Sequence, residues 1–144
     1  MNINIRDKYF FGAISAILVN LPFNILDYIA YRYNLTNYHI FHIAGSAYFP
    51  KSEVTSIPAI IVGMISHLIL VGFIGIVITY LLFVTGTDYF WFKGASVTMA
   101  AWLLVFGIML RVKIGRIDPI GASTNLFHMG AHIISGIIIA WVIV

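Results

Sequence analysis

The chain has 144 residues, 61% of them hydrophobic and 9% charged, with a formal net charge of +3 and no cysteine. Soluble domains carry about 25% charged residues, and one this small could not hide so much hydrocarbon from water. An ordinary soluble domain is excluded; so are disulfides and thiolate chemistry, and the weak, scattered positive charge makes no nucleic-acid surface.

Lipid is the solvent this composition suits, and a bilayer core calls for about 20 apolar residues per crossing helix. The first predicted span covers 9–31, after the basic pair Arg6 and Lys8. No small-residue cleavage site follows it, so it is expected as a retained helix rather than a signal peptide. The segment 33–56 follows as one long connection. Its "YHIFHIAGSAYFP" stretch is too short to span and too apolar for a free loop, which predicts an interfacial or partly re-entrant piece ended by Pro50.

The second span is expected at 57–83, with Pro58 suited to a first helical turn. The third lies at 92–111 between Lys93 and Arg111, and the fourth at 121–144 after the "RIDPIG" break. Tyr9, Tyr80, Tyr89 and Trp91 mark one membrane face, called face A, and Tyr28, Tyr31, Tyr33 and Tyr38 mark the other, face B. The fold class is therefore all-α: a polytopic integral membrane protein, four transmembrane helices in a single bundle, multi-pass in a cell membrane. Both termini lie on face A. Arg32, Lys51, Arg111, Lys113 and Arg116 on face B outnumber Arg6, Lys8 and Lys93 on face A, too small a bias to fix the orientation.

Polar residues inside such spans carry the functional signal. In "NLFHMGAHIISG", His128 and His132 stand one helical turn apart, and Asn125 continues their stripe. At about 1.5 Å per residue they lie roughly 10 and 16 Å below face B, and His67 of the second span lies roughly 15 Å below it. In the first span Asn20, Asn24 and Asp27 recur at spacings of four and three, at roughly 16, 10 and 6 Å. Three helices thus place amides, a carboxylate and imidazoles in one leaflet half, and His39 and His42 of the connecting segment lie on the same side.

Two roles fit this cluster. One is a binding or translocation site for a metal ion or a proton, with His67, His128 and His132 as its core, Asn20, Asn24, Asp27 and Asn125 as polar partners, and His39 and His42 as access groups. A transition-metal ion suits three imidazoles; bis-histidine haem is a weaker fit, because four short helices leave little room. The other role is hydrogen-bonded glue, with close approach at Gly63, Gly72, Gly75, Gly130 and Gly136, in an accessory subunit of a larger membrane complex. A homo-oligomer is compatible with both. No nucleophile elbow, phosphate loop or H-E-x-x-H pattern occurs, so nothing indicates an enzyme.

Overall fold

The computed structural model describes residues 5–117 and 121–144. The Asp118-Pro119-Ile120 part of the "RIDPIG" break and the side chain of Arg6 lie outside the described residues. Among the described residues all regular structure is helical: α1 (Ile5–Arg32), α2 (Ile40–Gly45), α3 (Ile57–Thr85), α4 (Phe90–Trp102) and α5 (Ala122–Ile143), with a 3-10 turn at Lys51–Glu53. Four helices are long and apolar enough to cross a membrane: Lys8–Arg32, Ile57–Thr85, Phe90–Met109 and Ala122–Ile143. Their ends all fall within two residues of those expected.

Local chemistry sets these limits. Ser56 opens α3 by accepting from the Ala59 N–H at 3.4 Å, with Pro58 in the first turn where a missing N–H costs nothing. At its other end the Lys93 ammonium donates to the Thr85 and Gly86 carbonyls, at 3.2 and 2.9 Å, satisfying acceptors the helix cannot. α1 runs unbroken through Pro22. The third span changes pitch: α4 passes at Leu103 into a π-helical stretch, Leu103–Met109. The Leu110 N–H then reaches back five residues to Val105.

The helices pack most closely as two antiparallel pairs, α1 with α3 and α4 with α5, and the pairs meet along α1 and α5. Each pair is drawn together at the face-A end by glycine. A Cβ added at Gly75 would run into the Gly12 carbonyl, and one at Gly94 into the Gly136 carbonyl. Of the other glycines expected at close approaches, Gly63 meets the Phe41 carbonyl, Gly72 makes ordinary contact and Gly130 faces open space. Around the glycine contacts lies a dry core of Ala16, Val71, Ile74, Ile78, Leu82, Ile139 and Ala140. A second apolar cluster, Ile40, Ile43, Val54, Phe106, Leu110 and Ile117, sits at the face-B end. The polar groups lie between the two.

The 33–56 connection dips between the helix ends. Gly45 packs on Ala59, the Phe41 carbonyl on Gly63, and the Phe41 ring lies 5.7 Å from His67. α2 therefore climbs back alongside the first turns of α3. Its lower end is capped in an unusual way. The His39 Nδ1 accepts from the Phe41 N–H at 3.3 Å, while His42 Nδ1 accepts from the His39 N–H at 3.4 Å. Two imidazoles thus form the reciprocal box that Ser and Glu more often make.

Candidate functional site

Asp27 is the centre of the site. It is 4% exposed, one turn from the end of α1, and faces both α2 and α5. Its Oδ2 accepts from the Ile40 N–H at 2.6 Å, so the carboxylate ties the start of α2 to α1. His39 lies alongside: with Nδ1 already accepting from Phe41, the neutral ring carries its proton on Nε2. That N–H is 3.3 Å from the Asn24 carbonyl and 3.6 Å from Asp27 Oδ2.

The other carboxylate oxygen has a different neighbour. Asp27 Oδ1 is 3.1 Å from His128 Nε2, and His128 is likewise 4% exposed. His128 Nδ1 is 2.9 Å from the Thr124 carbonyl, an acceptor only, so Nδ1 must carry a proton. A neutral ring would then aim its Nε2 lone pair at a carboxylate oxygen. Two lone pairs at this distance repel. The contact becomes attractive once a proton lies between the atoms, as imidazolium against carboxylate or as carboxylic acid against imidazole. Neither atom has a hydrogen-bond partner among the described residues, so the 3.1 Å approach is the one polar contact each makes. Phe106 covers the ring at 5.0 Å, presented by the π-helical stretch.

His67 forms a second set. Its Nε2 lies 3.0 Å from Asn20 Oδ1 and 3.1 Å from Asn24 Oδ1. Facing two amide oxygens, Nε2 is the protonated nitrogen and donates to both. His132 is held through its backbone: its carbonyl accepts from Thr98 Oγ at 2.6 Å and from Ser135 Oγ at 3.2 Å. Its ring meets Phe106 edge-on at 6.3 Å.

Asp27, His128, His67, Asn20, Asn24 and His132 all border one half-open cavity of about 580 Å³. Its wall is otherwise mostly apolar. It reaches Ala47, Tyr48 and Gly115 at the face-B end and descends to Val77, Val97 and Ile139. This volume falls within the roughly 300–1,000 Å³ of small-molecule sites.

Of the residues singled out by sequence, the structure brings together Asn20, Asn24 and His67, and separately Asp27, His39 and His128. His132 joins them only across the cavity. His39 and His42 are each 5% exposed and engaged in the α2 cap. Asn125 stands apart, bordering a smaller cavity of about 260 Å³ with Trp102 and Arg111. Among the described residues no group of three or more His, Asp or Glu side chains converges closely enough to hold a metal ion. Sequence reasoning missed Thr98, whose hydroxyl links α4 to α5, and Phe106, which covers His128. The Gly94-x-x-x-Thr98 spacing was the available signal for Thr98; nothing in the sequence marks the π-helical turn that aims Phe106.

Comparison with family models, with curated proteins and with solved structures finds no match to this chain.

Proposed function

We propose that the chain is a multi-pass integral membrane protein whose buried Asp27–His128 pair binds a proton taken up from the face-B side. The observation that carries this is the 3.1 Å approach of His128 Nε2 to Asp27 Oδ1 while Nδ1 donates to Thr124. A carboxylate buried among α1, α2 and α5 must be paired or neutralised, whereas an interhelical hydrogen bond returns on average about 0.6 kcal/mol. Hydrogen-bonded glue accounts comfortably for two asparagines and a histidine. It accounts poorly for Asp27, whose charge is removed or balanced by a proton shared with His128.

The cavity offers access from the face-B end, and below it the core of α1, α3 and α5 holds no titratable side chain among the described residues, only hydroxyls such as Ser15 and Thr79. That supports binding over conduction through a single chain. A second role for the same carboxylate rests on a separate observation, the Ile40 N–H bond that anchors α2.

The test is ¹⁵N NMR of the imidazoles in purified protein, combined with infrared spectroscopy of the Asp27 carboxyl. Proton binding requires either both His128 nitrogens protonated or a protonated Asp27 carboxyl, and Asp27→Asn must change the His128 nitrogen shifts. A singly protonated His128 beside an ionised Asp27 across pH 5–8 would refute it.

A further inference from the structure

Three polar side chains in the cavity keep unused hydrogen-bonding capacity after the proton pair is accounted for. Asn20 and Asn24 each turn an amide oxygen toward His67 Nε2–H, which leaves both NH2 groups pointing elsewhere. Neither NH2 group has an acceptor among the described residues, although both asparagines border the cavity. On the opposite wall, the His132 imidazole also borders it, with one ring nitrogen engaged by the Thr98 backbone. Its backbone, by contrast, is fixed by Thr98 and Ser135. The ring is held in place with one of its two nitrogens left for the cavity.

We infer that this cavity binds a membrane-soluble amphiphile, with an aliphatic body and a compact, uncharged head bearing a hydroxyl or carbonyl oxygen. The amide NH2 groups are donors, so they select an oxygen acceptor. His132 can accept a hydroxyl proton with the nitrogen that remains. Leu70, Val97 and Leu104 supply the surface for an aliphatic body. The head carries no net charge because the Asp27 carboxylate already faces His128 and the Ile40 N–H, and among the described residues no Lys, Arg or Glu side chain lines the cavity to balance an ion. The inference goes beyond the proton site, since it uses the side chains that site leaves idle.

The experiment is photolabelling of the full chain with a diazirine-bearing dodecanol, followed by peptide mapping, in detergent and again in phosphatidylcholine nanodiscs. Saturable labelling of Leu104, Phe106 and Ala131 is expected, with dodecanol displacing the probe at least about tenfold better than dodecane. Labelling should fall several-fold in His132→Leu and be lost in Ala131→Phe, which fills the space. The wild-type competition decides the matter even if a variant fails to fold. Unsaturable labelling spread over the outward residues Leu18, Ile69 and Leu126 would overturn the proposal. So would equal displacement by dodecane, or loss of labelling in nanodiscs, where the bulky zwitterionic phosphocholine head would have taken the site.

Discussion

The two ends of this bundle are built on opposite principles. At face A, backbones approach until glycine is the only residue that fits, as at Gly12–Gly75 and Gly94–Gly136, and the space between is filled by aliphatic side chains. At face B the same four helices spread apart. A six-residue helix is wedged in, one span loosens into a π-helix, and a cavity of about 580 Å³ opens among Asn20, Asn24, Asp27, His67, His128 and His132. In lipid no hydrophobic force drives helices together, so close packing must supply cohesion. The glycine end holds the helices, which frees the other end to keep polar groups and space that packing alone would eliminate.

That division can be attacked at its tight end first. Gly75→Leu pushes a side chain into the Gly12 backbone, where nothing flexible can give way. Overpacking ordinarily costs about 1–3 kcal/mol, and a backbone obstacle puts this variant above about 3 kcal/mol. Unfolding in mixed micelles followed by circular dichroism should register it as the largest loss of any single substitution here. Gly130→Ala, facing open space inside α5, serves as the control and should lose nothing, gaining at most about 1 kcal/mol from helix propensity. Equal losses from the two would mean that close approach is not what holds the face-A end.

At the open end the largest effect is expected from Asp27. Asp27→Ala deletes the acceptor for the Ile40 N–H and the partner of His128 together, and breaking a buried pair costs about 3–5 kcal/mol. Asp27→Asn keeps an acceptor oxygen for Ile40 while removing the charge, so it should cost about half as much. The same micelle unfolding assay separates the two. If both variants cost the same, the anchoring of α2 contributes nothing and the whole effect belongs to the proton pair.

Thr98→Val tests the seam between the two ends. The hydroxyl donates to the His132 carbonyl at 2.6 Å across the α4–α5 contact, and valine preserves the shape. A loss of about 0.5–1.5 kcal/mol is expected, in the range of interhelical hydrogen bonds. The ¹⁵N signals of His132 should shift with it, because its carbonyl is what fixes the ring's position. An unchanged His132 spectrum would detach Thr98 from the cavity.

The face-B end was also the harder one to read from sequence. Apolar length located the four helices long enough to cross a bilayer, since that length follows from the thickness of a hydrocarbon core. Depth was legible too: Asn20 and Asn24 meet His67, and Asp27 meets His128, because rise per residue is nearly constant along a helix. Rotation about the helix axis was not. Asn125 and His128 differ by about 60° around α5, enough for one to border the main cavity and the other a neighbouring one. The π-helical turns of the third span alter the phase of Phe106 in a way no apolar pattern records. His39 and His42 looked like entry groups because imidazoles rarely cap helices, where short oxygen-bearing side chains are the rule.

The smallest expected effect concerns that cap, and its sign follows from the geometry. His42 Nδ1 accepts from the His39 N–H, so a proton added there breaks the bond. Burial, and then repulsion from His39, hold the His42 pKa below its ordinary value of 6.5, with Asp27 opposing in part. Tyr31 packs edge-on against the ring at 5.0 Å and offers no charge at neutral pH. The unfolded chain therefore takes up this proton at a higher pH than the folded one. The cap's contribution is complete above about pH 6.5 and declines as pH falls below it, until the folded protein protonates too. His42→Gln retains an acceptor oxygen but cannot titrate, so its stability should change less than the wild type's between pH 7 and 5. If the two profiles run parallel, or the wild type gains stability on acidification, the cap is not the pH-sensitive part of the open end. The slope would then have to come from the groups around Asp27.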